Sequence, residues 1–112
     1  MSKPIPILLS RDIAEEAANQ PGRLSALLLQ HGSMEVRWYA PKESDPHAPH
    51  DQDEIYIIVV GRGWFVRGEE RVPCRAGDVL FVPAGVEHKF DNFTPDLAVW
   101  LILYGPKGGE PA

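Results

Sequence analysis

The sequence predicts an all-β domain, a sandwich or barrel of short strands preceded by one short helix. Three observations carry this expectation. Short apolar runs recur along the chain, with turn-forming residues between them. Eleven prolines and ten glycines in 112 residues favour many short elements over a few long ones. Only one stretch has the composition and boundary residues of a helix.

In chain order, the first ten residues hold Pro4 and Pro6, and their apolar run is too short and too broken for a signal peptide. Ser10 suits an N-cap, Asp12 and Glu15 suit the first turns, and the Ala-rich run to Asn19 must stop at Pro21 and Gly22, which defines the helix. Strands are expected over 24–30, 34–40, 55–60, 64–66, 79–82 and 97–104, with a further one starting at His88 after the Pro83-Ala84-Gly85 turn. Breaks fall at Gly32 and Ser33, 61–63, 68–70, 76–78 and 83–85, because Gly, Pro, Asn and Asp supply the backbone angles of tight turns. The expected organisation is an arm and helix over 1–23, a barrel over 24–105, and a flexible tail over 106–112, rich in Pro and Gly. Residues 54–60 stand out because Tyr56, Ile58 and Val60 share one face of a strand while Ile55, Ile57 and Val59 share the other. Such a strand needs cover on both sides, from the barrel interior and from another layer of the chain or a second copy, so a homodimer is expected.

Composition narrows the function classes. Eleven Lys and Arg against sixteen Asp and Glu leave a net charge of −5 with no long like-charge run, which disfavours nucleic acid and anionic membranes as partners. No stretch reaches the roughly 18 apolar residues that span a bilayer. The single Cys74 rules out an intrachain disulfide and a thiolate metal cluster, and a reducing, cytoplasmic location is expected.

The chemistry is carried by spacing. Gly77, Pro83, Gly85, His88 and Asn92 form one series whose chance occurrence in a chain of this composition is about one in twenty thousand. Upstream, His50 is followed after three residues by Glu54 and after six more by Gly61. The downstream series resembles the second motif of the cupin superfamily at all five positions, and the upstream one resembles the first motif; the resemblance covers roughly 39–105. It implies a double-stranded β-helix, the jelly-roll barrel, of about six to eight strands, a mononuclear metal held inside, and commonly a homodimer. The positions matching the family's metal ligands are His50, Glu54 and His88. Where the pattern has its first histidine this chain has Ala48, and Lys42 stands near the place of the family's upstream glycine. His47 is offset by one residue; a bulge favoured by Pro46 and Pro49 would turn it inward as a fourth ligand, and otherwise it is a surface turn residue.

Two imidazoles and a carboxylate suit divalent iron, manganese, nickel, cobalt or zinc and leave coordination positions open for substrate. A small-molecule enzyme is expected, dioxygenase-like or an isomerase or lyase acting on an oxygen-bearing substrate. The alternative is a non-catalytic module that binds or senses a small ligand or metal, which Ala48 favours. For His88 the competing role is a hydrogen-bonded barrel histidine; for Glu54, a buried unpaired carboxylate is costly unless a cation or donor meets it. Pocket candidates are Tyr56, Phe90 and Tyr39, each with core packing as the other possibility, and Trp38, Phe65, Trp100 and Tyr104 are expected to pack. Asp51, Gln52 and Asp53 are expected on a turn in solvent, Gln52 having a carbonyl oxygen as its other possible use. Arg37 reads as a surface charge and His31 as a hairpin residue.

Overall fold

Helix α1 (Arg11–Ala18) begins where the sequence places it: Ser10 is extended at φ −123°, ψ 165°, and its side-chain oxygen accepts from the Ile13 N–H. That bond satisfies one of the amides that the first turn leaves without an intrahelical partner. The molecule is described from a computed structural model that covers residues 5–19, 25–45 and 49–112. Among the described residues no helix is long and apolar enough to cross a membrane.

Among the described residues eight strands follow: β1 (Ser25–His31), β2 (Met34–Tyr39), β3 (Asp53–Val60), β4 (Arg62–Arg67), β5 (Glu70–Arg75), β6 (Val79–Val82), β7 (His88–Asp91) and β8 (Ala98–Tyr104). They form a five-stranded sheet in the order β1-β2-β8-β3-β6 and a three-stranded sheet in the order β5-β4-β7. All pairings are antiparallel. Every expected strand is present. Strand β5 was not anticipated, because its residues are charged or exposed apart from Cys74 and it contains Pro73. A proline that cannot donate to a ladder is tolerated there because β5 is the edge of its sheet.

The period of two sorts the side chains. Glu54, Tyr56 and Ile58 of β3 turn inward beside Val99, Leu101 and Leu103 of β8, facing Phe65 of β4 and Phe90 of β7. Tyr56, Phe65 and Phe90 pack as an aromatic triad with centroids 5.0 to 5.5 Å apart, each pair adding about 0.5–1.5 kcal/mol beyond its buried area. Outside the large sheet, Ala14 of α1 closes over Trp38 and Ala98, and Trp38 meets Trp100 edge to face at 4.9 Å. The chain's own helix therefore supplies part of the second cover that 54–60 needs. It does not reach the far strands, where Val79 and Phe81 remain 64% and 44% exposed beside half-buried Ile55 and Ile57.

Two expectations near the start of β3 need correction. Asp53 is buried, because its carboxylate accepts backbone hydrogen bonds from Ala84 and Glu110. Gln52 donates its amide to the carbonyls of Ser33 and Gly105, both at 2.9 Å, and so braces two loops instead of pointing to solvent. Asp51 is exposed, as expected. The segment after β8 returns to the barrel, with Gly108 N–H donating to Asp51 O at 2.7 Å. His47 and Ala48, on which the question of a fourth ligand turns, lie outside the described residues.

Candidate functional site

The site forms at the end of the barrel where β3 starts and β7 starts. Glu54, second residue of β3, sits between Val82 and Leu103 in the sheet and is 1% exposed. Its Oε1 lies 2.6 Å from His88 Nε2 and its Oε2 lies 3.7 Å from His50 Nε2. The two imidazole rings are 6.4 Å apart. Two imidazoles, one from the segment before β3 and one from β7, thus converge on one carboxylate.

The turn before β7 delivers His88. Gly77, Gly85 and Asn92 of the spaced series have φ of +95°, +79° and +45°, left-handed angles that glycine takes without strain and asparagine tolerates. Part of the motif is therefore backbone geometry, and only His88 in it carries chemistry. His88 Nδ1 lies 2.8 Å from the Val86 carbonyl, an acceptor only, so Nδ1 donates there; Glu54 Oε1, 2.6 Å from Nε2, is likewise an acceptor, so without a metal the pair is joined by a second proton on Nε2. At Nε2 the Tyr56 hydroxyl stands 3.0 Å away. Burial alone lowers the pKa of His88, but the hydrogen bonds to Glu54 and Val86 and the charges of Glu54 and Asp45 outweigh it and raise the ring above its ordinary value. Tyr56 is held well above the usual phenol range, first by burial and then by the charge of Glu54, so its hydroxyl keeps its proton.

Among the described residues no group of three or more His, Cys, Asp or Glu side chains is arranged, as it stands, to hold a metal ion. Glu54 and His88 instead touch directly, with His50 farther out and half-exposed. The donor set nonetheless fits a divalent transition ion. Two imidazoles and one carboxylate are donor types that suit such an ion, although the 2.6 and 3.7 Å contacts run to different Glu54 oxygens.

Tyr39, Tyr56 and Phe90 are all buried in the main core cluster. Tyr56 reaches His88, and Tyr39 donates its hydroxyl to Asp45. The groove of about 270 Å³ that opens beside His88 is lined by Asp45, Pro49, Val66, Glu87 and Lys89, and by none of those aromatics. Trp38 and Phe65 pack in the interior clusters, Arg37 pairs with Glu35 at 2.9 Å, and His31 ends β1 in the hairpin. Asp45 escaped the sequence reading. Its Oδ2 accepts the Phe90 N–H at 2.8 Å across forty-five residues of chain, a link that no local spacing signals. A wider groove, about 770 Å³, lies against Arg62, Trp64, Cys74 and Phe93 and holds none of the site residues.

Comparison with known proteins agrees with this architecture. An uncharacterized protein of Streptomyces coelicolor is 40% identical over 95 residues, covering 83% of this chain and 88% of that one. The acireductone dioxygenase of Frankia alni is 43% identical over 54 residues, 44% of this chain and only 26% of that enzyme. The crystal structure of a cupin 2 conserved barrel domain protein from Salinispora arenicola superposes with a TM-score of 0.63 at 26% identity, covering 94% of this chain and 91% of that one. Residues 36–104 match the family described as "Cupin domain", and with a jelly roll of two sheets around the Glu54 site, this chain belongs to the cupin family.

Proposed function

We propose that His50, Glu54 and His88 hold one divalent transition metal ion and that the chain is a small-molecule enzyme, dioxygenase-like or an isomerase or lyase acting on an oxygen-bearing substrate. The observation that supports this most is the buried carboxylate of Glu54 set between two imidazole nitrogens at 2.6 and 3.7 Å. A carboxylate at this depth calls for a cation or a strong donor. Bound there, iron, manganese, nickel, cobalt or zinc supplies a Lewis acid with coordination positions left over for substrate oxygens. The chain's own residues prepare the place. The Val86 carbonyl fixes the His88 tautomer, so Nε2 is the nitrogen available for coordination. The Tyr56 hydroxyl, protonated throughout the physiological range, offers a hydrogen bond at the inner wall. Asp45 ties Tyr39 and the Phe90 amide together and steadies β7 behind His88.

The match to a dioxygenase over 54 residues makes the oxygenase version the first to test. Metal per chain is to be measured after growth in supplemented medium, and oxygen uptake followed with iron-loaded protein against diketones, catechols and thiols. Close to one ion per chain and uptake with one substrate class are expected. Metal content near zero, unchanged by His88→Ala, refutes the metal reading, and silence across the panel refutes the oxygenase version. Ala48 at the place of the usual first histidine favours a second reading, a module that binds a small ligand without turnover. Uptake of metal and ligand with no product would select it.

A homodimer belongs to the same proposal. Val79 and Phe81 on the edge strand β6 stand exposed beside Ile55 and Ile57 on the outer face of the large sheet, away from α1. A second copy covering these side chains would complete the burial that a doubly apolar β3 requires.

A further inference from the structure

Asp53 is adjacent to Glu54 on β3 and points to the opposite face, yet it is only 5% exposed. Its two carboxylate oxygens serve different segments. Oδ1 accepts the Ala84 N–H at 3.0 Å, from the turn that leads to His88, and Oδ2 accepts the Glu110 N–H at 2.8 Å, from the residues beyond β8. Backbone bonds on either side extend the junction: Gly108 N–H donates to Asp51 O and Gly85 N–H donates to His50 O, each at 2.7 Å. Gly109 passes so close that a Cβ there would stand 2.8 Å from Asp53 Oδ1 and 3.2 Å from Ala84 Cβ. The segments bearing His50, Glu54 and His88 are therefore joined at their backbones behind the site. A displaced 83–85 turn would carry Val86 with it, and the Val86 carbonyl orients the His88 ring.

We propose that Asp53 is a positioning residue for the candidate metal centre, clamped by residues 108–110 so that the 83–85 turn, and with it His50 and His88, keeps its place around Glu54. The inference rests on the metal reading, and its mechanical part is measurable without metal. Partners behind the ligands typically change metal affinity by about 10–100-fold when lost. Asp53→Asn keeps the volume but turns an NH₂ group toward one of the two N–H donors. Gly109→Ala attacks the same junction from the other side, adding a Cβ against Asp53 Oδ1 at a φ of +89°. Asp78→Asn is the control, because Asp78 Oδ2 accepts the Arg75 N–H at 2.9 Å in a turn remote from the site.

The experiment titrates cobalt(II) into the full chain and measures hydrogen exchange at the Gly85 amide in the metal-free chain, since Gly85 bonds to His50 and not to Asp53. Asp53→Asn and Gly109→Ala are each expected to raise the cobalt Kd about tenfold or more and to speed Gly85 exchange to a similar degree. Asp78→Asn should lower Tm while leaving both quantities within about twofold of wild type. If both junction variants lose thermal stability but keep the wild-type Kd, the junction is only structural and the proposal is overturned, whatever the exchange rates. If wild-type protein takes up no cobalt, the metal reading is what fails, and unchanged Gly85 exchange in the variants then overturns the clamp as well.

Discussion

Replacing Glu54 by glutamine separates a metal site from a buried ion pair, because the two predict opposite patterns of loss. The side chain is 1% exposed and the replacement keeps its size, so no cavity opens. In the variant a neutral His88 with its proton on Nδ1 would accept at Nε2 from the glutamine amide, beside the Tyr56 hydroxyl. The exchange of a charge-assisted hydrogen bond for a neutral one costs about 1 kcal/mol, which for a domain of this size is roughly 4 °C in Tm. Metal response is affected far more. A metal at 100 times its Kd stabilises the native state by about 2.7 kcal/mol, or roughly 10 °C. In the variant that gain should nearly vanish. The assay is thermal unfolding of both proteins with and without manganese or cobalt, with bound metal per chain counted after gel filtration. Asp51→Asn is the proper comparison, since Asp51 is exposed whereas Asp53 is buried and hydrogen-bonded. A variant that loses roughly 3–5 kcal/mol without metal yet keeps the wild-type response would mean that Glu54 is a structural ion-pair partner and no ligand.

Cys74 is 4% exposed and its thiol is pushed up by burial and then by the charge of Asp78, so alkylation at pH 8 should run at least about tenfold slower than for free cysteine. Because the folded thiol holds its proton more tightly than the unfolded one, its contribution to stability is complete below about pH 8.5 and declines as the pH rises above that value. Tyr39 and Tyr56, also raised, act with the same sign above about pH 10, so urea midpoints should fall between neutral and alkaline pH; a rise would contradict the burial of these groups. Gly61→Ala should cost about 3 kcal/mol or more, since its Cβ would stand 2.7 Å from Leu97 Cα at a φ of +91°. Gly77→Ala, with a φ of +95° but open space around it, should cost only about 1–2 kcal/mol, and equal losses in chemical denaturation would refute the close approach at Gly61. Solution scattering at micromolar concentration should give a dimeric mass that Phe81→Asp reduces to monomeric; a monomeric wild type would remove the second copy from the outer face of the sheet.

The helix and the strands other than β5 were legible in the chain because each leaves a local trace, whereas His50, Glu54 and His88 were singled out by the family resemblance. Period-two burial marks 54–60, Ser10 marks the start of α1, and Gly77, Gly85 and Asn92 of the spaced series reflect left-handed backbone angles that few residues adopt. Strand β5 left no such trace, since an edge strand buries little and its sequence is free to be charged. Asp53 and Gln52 were misplaced for a related reason: polar residues near a turn point to solvent unless a distant segment supplies donors or acceptors. Here Ala84, Glu110, Ser33 and Gly105 do so. Asp45 gained its place from a partner in β7. What the amino-acid order settled alone was periodicity, turns and donor chemistry, all properties of neighbouring residues. Which buried polar atoms meet, and which loops they tie down, was decided only in three dimensions, because a hydrogen bond between segments far apart in the chain constrains neither one's local pattern.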